Sequence, residues 1–278
     1  MRREAVRVHQ TEPALNTKTH VVTVHRASLT GVEAISLRSE HVFPRHAHDH
    51  YGIGVMSEGA QKSWSVVGAV EAGKGDVIMV NPGEMHDGSP IQGPRAWHIV
   101  YFDPDLLSHE LADDERGTDV VFNPVANDQA LAGKVTALLH AIQFSEPHEA
   151  EESLLTCMLH ILQQHRLSGS SKTDKSPPVA RAIEWIEAEP DINQPLSALA
   201  AASDMSRFQL IRGFIRDVGT TPHAYRMQYR VRLARRHLLQ GRPIAETAQL
   251  MGFADQSHLT RAFLRQFGVA PGRYLAAR

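Results

Sequence analysis

The chain has 278 residues, of which 42% are hydrophobic and 22% are charged, as in a globular protein long enough for two domains. No stretch approaches the roughly 18 consecutive apolar residues of a membrane-spanning helix, and a single cysteine excludes an intrachain disulfide. The formal net charge of −2 conceals two unlike parts. Residues 1–178 carry 15 basic and 23 acidic residues, a balance of −8, whereas residues 179–278 carry 14 arginines, no lysine and 8 acidic residues, a balance of +6.

The basic C-terminal part favours a polyanionic partner, although charge alone also fits an ordinary solvated surface. Cys157 lies in the apolar run LLTCMLHIL, so we interpret it as a core residue rather than a nucleophile. The first ten residues lack the apolar segment of a secretory signal. We therefore expect a soluble, cytoplasmic protein that does not associate with a membrane.

Hydrophobic patterning predicts two domains. Residues 20–102 contain short strands separated by Gly, Pro, Asn and Asp, which favours a barrel or a sandwich. From residue 127 the period becomes helical and predicts a hairpin of two helices, whose outer apolar positions bury either against the strands or against a second subunit. The Ser- and Lys-rich segment 167–178 is the predicted linker. We thus assign residues 1–166 to one domain and residues 179–278 to another.

The C-terminal domain contains a repeated motif. The segment from Leu210 reads LxRxFxRxxGxxPxxY, and the same letters recur 49 positions later, from Leu259 to Tyr274. Upstream, Ala200 matches Ala248 at an offset of 48, so the second copy has one additional turn residue. A duplication of this kind predicts two small units of the same fold.

Each repeat predicts a helix-turn-helix unit. A short helix begins after a proline, a tight turn follows, and a second helix begins after Ser206 or Asp255, both good N-cap residues. At 100° per residue, Arg212 falls opposite the apolar face of its helix, and Arg261 does so in the second copy. Outward Arg and Gln near a helix N-terminus suit the major groove, where Arg bonds guanine and Gln bonds adenine. The alternative is a pair of solvated arginines on amphipathic helices.

Residues 222–240 predict one helix between the repeats. At about 1.5 Å per residue it spans about 28 Å, against about 34 Å between successive major grooves on one face of DNA. A spacer of this length can place both reading helices in neighbouring grooves. Its arginines either reach phosphates or are only solvated, namely Arg226, Arg230, Arg232, Arg235 and Arg236.

The segment GFADQSHLTRAFLRQFGVAPGRY resembles the signature of the AraC/XylS family of bacterial transcription regulators, and the likeness extends over residues 179–278. The resemblance implies double-stranded DNA as a partner and, usually, activation through RNA polymerase. Gly213 departs from expectation, since glycine within a reading helix costs stability and would loosen the first unit. Geometry and resemblance together predict DNA contacts by Arg207, Phe208, Gln209, Arg212, Gln256, Ser257, His258, Arg261 and Arg265.

The N-terminal domain carries a histidine-rich motif. FPRHAHDHYGIG places His46, His48 and His50 at alternate positions, which in a strand point to one face. GDVIMVNPGEMH follows and ends at His86. These two segments resemble the motifs of the cupin barrel, a fold common among sensor domains of the AraC family. Metal-binding cupins add a Glu ligand about four residues after HxH, which this chain lacks.

The histidines leave two interpretations open. His46, His48 and His86 could form a metal site, with His50 as a substitute, or they could line a pocket. We predict an effector pocket, with no cofactor, formed by His46, His48, His50, Tyr51, Trp64, His86 and Trp97.

The sequence therefore predicts an α+β protein of two domains, a cupin-like β-barrel with a helical hairpin followed by an all-α double helix-turn-helix domain. We expect a homodimeric transcription regulator, an activator rather than an enzyme, under the control of a small-molecule effector. The alternatives are a metal-sensing regulator and a metal-dependent cupin enzyme with a DNA-binding tail.

Overall fold

A computed structural model describes residues 6–9, 20–25, 27, 29–65, 67–110, 120–167 and 175–277. The chain divides near Gly169 into two compact domains, each with its own core. Most of the predicted linker, residues 168–174, lies outside the described residues. Among the described helices, none has the length and apolar character needed to cross a membrane.

The N-terminal domain is built on an antiparallel sheet. Within its described residues the strands are β1 (Val6–His9), β2 (His20–His25), β3 (Val32–Ser39), β4 (Phe43–His46), β5 (Tyr51–Ser65), β6 (Gly68–Gly73), β7 (Val77–Val80), β8 (His86–Phe102) and β9 (Val125–Ala126). They pair in the order β1-β2-β3-β8-β5-β7-β9, with β4 beside β8 and β6 beside β5. The long strand β8 pairs with β4 through its first residues and with β3 through its last. The start of β8 therefore lies beside the histidines of the first motif.

Three helices accompany this sheet: α1 (Pro104–Glu110), α2 (Gln129–Phe144) and α3 (Pro147–Gln164). Asp128 caps α2 by accepting a hydrogen bond from the Leu131 amide, and Pro147 occupies the first turn of α3. The apolar faces of α2 and α3 pack on one face of the sheet, in a core shared with Ile53 and Val100. The predicted hairpin thus buries its inner positions against the strands.

Cys157 lies in this core, and burial raises the pKa of its thiol to about 12. A thiol with so high a pKa is a poor nucleophile. The predicted structural role of this cysteine agrees with its surroundings.

The C-terminal domain is entirely helical over its described residues. Its helices are α4 (Pro177–Ala188), α5 (Leu196–Ala202), α6 (Arg207–Asp217), α7 (Pro222–Leu239), α8 (Ile244–Leu250), α9 (Gln256–Phe267) and α10 (Pro271–Ala276). Ser206 caps α6 and Asp255 caps α9 through side-chain oxygens, as their residue types predict. The small Ala200 is buried in the first helix-turn-helix unit, and Ala248 is buried in the second. A sheet domain followed by this helical domain confirms the predicted α+β organisation.

Gly213 is a close-packing position rather than a source of looseness. A Cβ atom added there would lie 2.8 Å from Cγ2 of Val179, a side chain of α4. Both residues are buried. Glycine therefore lets α6 approach α4 more closely than any other residue would, and the expectation of a loosened unit was wrong.

The arginines of α7 also depart from expectation. Arg226, Arg230, Arg232 and Arg235 are buried, whereas Arg236 is exposed. Arginine has the polarity of a surface residue, but its long stem can lie along apolar neighbours while its head bonds to carbonyl groups. Of these five arginines, only Arg236 lies at the surface.

Candidate DNA-reading surface and effector site

The first reading helix, α6, separates a buried face from an exposed one. Leu210 and Phe214 are fully buried, whereas Arg207, Phe208 and Arg212 are exposed. Phe208 is 69% exposed, and the guanidinium of Arg212 lies 5.6 Å from the centre of its ring. Aromatic residues and arginine are enriched where a protein surface meets a partner.

Gln209 has a structural role on the same helix. Its Oε1 accepts a hydrogen bond from the Ser206 amide at 2.8 Å, while its own amide donates to Ser206 Oγ at 3.2 Å. This reciprocal arrangement stabilises the helix start. An adenine that is bonded in pairs requires both the oxygen and the nitrogen of the Gln209 side chain. Such bonding would therefore break the hydrogen bond between Oε1 of Gln209 and the Ser206 amide.

The second reading helix, α9, repeats the arrangement with different side chains. Leu259 and Phe263 are buried, and the exposed side is formed by Gln256, Ser257, Arg261 and Arg265. His258 is half-buried, with its ring edge-on to Phe253 at 5.2 Å. The two copies therefore share an exposed arginine at matching positions but present different neighbours to a partner.

Helix α7 joins the two helix-turn-helix units, and two of its buried arginines bind backbone carbonyls. Arg226 donates to the carbonyl of Gln194 at 3.3 Å, and Arg230 donates to the carbonyls of Pro190 and Gly252. These arginines fix the segment after α4 against the turn between α8 and α9. The two helix-turn-helix units are thereby held at one spacing within the domain.

In the sheet domain, three imidazoles meet where β4 pairs with β8. His46 stands opposite His86 in the register, and His48 follows in the loop after β4. The ring centres lie 4.5 Å apart for His46 and His86, 4.8 Å for His46 and His48, and 5.1 Å for His48 and His86. One nitrogen of each ring lies within 4.8 Å of the other two. We name these three residues the three-histidine cluster.

The hydrogen bonds of this cluster define which ring nitrogens are available. Nδ1 of His46 lies 2.7 Å from the carbonyl oxygen of Pro44, and Nδ1 of His86 lies 3.1 Å from that of Glu84. A carbonyl oxygen only accepts, so both Nδ1 atoms carry the proton and both Nε2 atoms present a lone pair. Burial lowers the pKa of His46 to about 3 and that of His86 to about 4. Both rings are therefore neutral at neutral pH.

Three imidazoles fit a divalent metal ion with an open fourth position. The additional carboxylate of metal-binding cupins has no counterpart here, because within the described residues the cluster contains histidines alone. Glu58 is engaged elsewhere, with both oxygens 2.9 Å from the guanidinium of Arg38. The cluster thus suits either a metal ion or a ligand that donates hydrogen bonds.

Aromatic side chains surround the cluster. The ring of Tyr101 lies 5.2 Å from that of His48, and Phe43 lies 6.3 Å from His46 and 6.1 Å from Trp97. Of the residues predicted for effector binding, the structure brings together the three histidines, with Trp97 next to them through Phe43. The sequence offered no signal for Phe43, since one aromatic in a strand is ordinary core.

The remaining predicted effector residues contact other groups. Tyr51 packs in the core below α2 and α3 and donates its hydroxyl to the Val120 carbonyl at 2.7 Å. His50 lies 2.7 Å from an oxygen of Asp103, and the ring of Trp64 is covered by Arg45 at 3.9 Å. The expected common face for His46, His48 and His50 does not form, because β4 ends at His46 and β5 begins only at Tyr51.

Sequence reasoning also missed Arg95, which is fully buried next to these aromatics. Its guanidinium lies 5.0 Å from the ring of Trp97 and donates to Gln61, to the His41 carbonyl and to the Gly88 carbonyl. Burial lowers its pKa to about 10, so it remains charged at neutral pH. An arginine directly before the largely apolar segment AWHIVYF of β8 was the available signal.

Comparisons with known proteins agree with this geometry. Residues 29–158 match the profile of the AraC-like ligand binding domain, and residues 199–277 match that of a helix-turn-helix domain. The chain belongs to the AraC family of transcription regulators. It is thus a DNA-binding regulator with a ligand-binding domain, and membership in a family of regulators favours this function over that of an enzyme.

Individual relatives support the assignment at moderate identity. The HTH-type transcriptional regulator YbfI of Bacillus subtilis is 28% identical over 227 residues, which cover 78% of this chain and 81% of YbfI. The transcriptional activator NphR of a Rhodococcus species is 33% identical over 135 residues, 48% of this chain but only 39% of NphR. The crystal structure of ToxT from Vibrio cholerae has the same fold, with a TM-score of 0.53 at 11% identity over 94% of this chain and 98% of ToxT.

Proposed function

We propose that one chain of this AraC-family regulator reads an asymmetric DNA site across two successive major grooves, and that an effector bound in the sheet domain controls this reading. The observation that carries the proposal is the pair of exposed arginines, Arg212 and Arg261, at matching positions of two reading helices held at a fixed spacing. The 18 residues of α7 span about 27 Å at 1.5 Å per residue. This length suits adjacent grooves about 34 Å apart, since side chains extend beyond the helix.

The exposed residues predict which bases each unit reads. Arg212 and Arg261 are both exposed, and each can bond O6 and N7 of a guanine. The exposed ring of Phe208 suits the methyl group of a thymine beside the guanine read by Arg212. The second unit presents the small Ser257 at the matching position, so its preference should differ there. A single chain should therefore bind its asymmetric site in one orientation.

The three-histidine cluster indicates the chemistry of the effector. Two Nε2 lone pairs inside an aromatic setting accept hydrogen bonds, so the effector should present hydroxyl or amine donors on an apolar body. An anion gains little from imidazoles that stay neutral at neutral pH. The buried Arg95 adds a fixed positive charge close to Trp97.

We further propose that the regulator acts in the bacterial cytoplasm as a homodimer and activates transcription by contacting RNA polymerase. The activator NphR is a relative that supports activation. Exposed Phe144 (68%) and Leu159 (58%) on the hairpin of α2 and α3 support pairing of subunits there. Two joined monomers on repeated sites would bind with increased affinity through effective concentration.

A screen followed by DNA binding tests the coupling. Amino acids, sugars and aromatic acids are first screened for compounds that raise the melting temperature of the full chain. Each hit is then added to the full chain and to residues 170–278 bound to a selected DNA site. The proposal expects a change in affinity for the full chain alone, and loss of that change in His86→Ala. Equal responses of the two proteins would refute control by the sheet domain.

A further inference from the structure

A second group of potential metal ligands lies at the end of the helical hairpin, away from the three-histidine cluster. It consists of Asp128, His160 and His165, whose ligand atoms lie within 4.8 Å of one another. Oδ2 of Asp128 lies 2.8 Å from Nε2 of His160 and 2.8 Å from Nε2 of His165. The other oxygen, Oδ1, accepts the amide of Leu131 at the start of α2. The two carboxylate oxygens therefore have separate roles, one as a helix cap and one facing both imidazoles.

The local fold brings the two histidines to the same oxygen. His160 lies in the last turns of α3, and His165 is its C-cap residue, with φ −127° and ψ 11° outside the helical region. The carbonyl of His165 accepts the amide of Asn123 at 3.0 Å. Because the chain leaves the helix at this point, the two rings lie nearly parallel, 5.9 Å apart at 18°. Helical spacing alone would separate residues five apart by about 140° around the axis.

We propose that Asp128, His160 and His165 form a binding site for a divalent transition-metal ion, of which Zn²⁺ is the representative. Two imidazole nitrogens and one carboxylate oxygen match the ligand preferences of such ions. The side chains are 15–20% exposed, which leaves room for water at the remaining coordination positions. This site is independent of the effector and of the three-histidine cluster.

Little rearrangement is needed to admit the ion. Ligand atoms around tetrahedral zinc, each at about 2.0–2.2 Å from the ion, lie about 3.3 Å apart, against the 2.8 Å hydrogen bonds of Asp128. To bind the ion, each histidine must present a lone pair on Nε2 rather than a proton.

The position of the site gives the ion a structural consequence. It would join the first residue before α2 to the last turn of α3, next to Leu167, the last described residue of the sheet domain. Binding to the folded state stabilises that state. An occupied site would therefore fix the end of the hairpin from which the chain continues to the DNA-binding domain.

The test uses the full chain, stripped of metal with a chelator and titrated with Zn²⁺. The double variant His160→Gln, His165→Gln keeps an amide nitrogen near each Nε2 position, so it retains donation to Asp128 but loses two metal ligands. The variant Asp128→Asn keeps the helix cap and loses the anionic ligand. His148→Gln, an exposed histidine on α3, is the matched control. Melting curves without metal verify that each variant is folded.

The proposal expects the wild type and His148→Gln to bind one Zn²⁺ more per chain than the double variant, whether or not the three-histidine cluster is also occupied. Asp128→Asn should bind that ion at least about 10-fold more weakly. Zinc should also raise the melting temperature of the wild type more than that of the double variant. Equal zinc content and equal affinity in the wild type and the double variant would overturn the proposal.

Discussion

The Nη1 atom of Arg230 donates to the carbonyl oxygen of Gly252 across 3.0 Å, and this bond ties the spacer helix to the turn of the second helix-turn-helix unit. Nε of the same guanidinium donates to the carbonyl of Pro190, which follows α4. Gly252 has a φ of +69°, and a Cβ atom on it would lie 2.3 Å from the carbonyl oxygen of Asp191. The buried Arg230 and the close approach at Gly252 thus connect the segment before the first helix-turn-helix unit to the turn of the second.

Gly252→Ala should destabilise the DNA-binding domain by more than about 2 kcal/mol, because the new methyl group adds a clash to an unfavourable backbone conformation. Gly241→Ala is the control, since its φ of +86° carries the same strain with no atom within 4 Å. It should cost about 1 kcal/mol. Urea unfolding of the full chain, resolved by hydrogen exchange, compares the two. Equal losses would show that the contact with Asp191 contributes nothing.

Two helical glycines should respond in opposite directions to alanine. Gly213→Ala places a methyl group 2.8 Å from Val179 and should destabilise the domain by about 1–3 kcal/mol. Gly133→Ala, in α2 with open space around it, should stabilise the sheet domain by about 0.5–1 kcal/mol. Combining Gly213→Ala with Val179→Ala should cost less than the sum of the two, which a double-mutant cycle measures. Strict additivity would contradict the close contact.

Asp217 should give the DNA-binding domain an acid-sensitive contribution. Its carboxylate binds Arg216, at 2.5 Å from Nε, and accepts Ser176 Oγ at 2.6 Å, and these contacts lower its pKa to about 2. A lowered carboxyl pKa stabilises the fold above the unfolded value of 3.8, and this contribution is lost as the pH falls towards 2.

Asp217→Asn should therefore cost about 1 kcal/mol at pH 7, a modest value because Arg216 is largely exposed. The difference from the wild type should shrink between pH 4 and pH 2, the interval between the two pKa values. Unfolding by urea at a series of pH values measures it. A difference that stays constant with pH would contradict the role of the charge.

The reading arginines should act on different ends of one site. On a site selected from random sequences, Arg212→Ala and Arg261→Ala should each weaken binding by about 1–3 kcal/mol and relax the base preference at separate positions. Arg242→Ala, exposed in the turn between α7 and α8, should leave base preferences unchanged. Fluorescence anisotropy on specific and random DNA separates the cases. Equal losses on both would make the arginines phosphate contacts.

The helices of the DNA-binding domain were predictable because their signals are local. Ser206 and Asp255 are cap residues by type, and Leu210 with Phe214 marks the buried face of α6 by spacing alone. The burial of the arginines on α7 was not predictable, because Arg230 bonds to carbonyls that lie 40 and 22 residues away in sequence. A periodic pattern records polarity, and it does not record which polar groups find partners inside.

The effector site was predictable only in part for the same reason. His46 and His86 meet through the pairing of β4 with β8, which the two cupin-like motifs implied. The separation of His50 from them depends on where one strand ends and the next begins, and Phe43 carries no local signal. His160 and His165 share Asp128 only because the chain leaves the helix between them.

The spacing between the bases read by α6 and the bases read by α9 shows whether the two reading helices are held rigidly. From a selected site, these two sets of bases are moved apart by five base pairs, about half a helical turn, and the affinity of the full chain is measured. If the buried contacts of α7 fix the two reading helices on one face of DNA, affinity should fall by about 10-fold or more, and ten base pairs should not restore it. An affinity that is unchanged by five base pairs would contradict a single chain that reads two successive grooves.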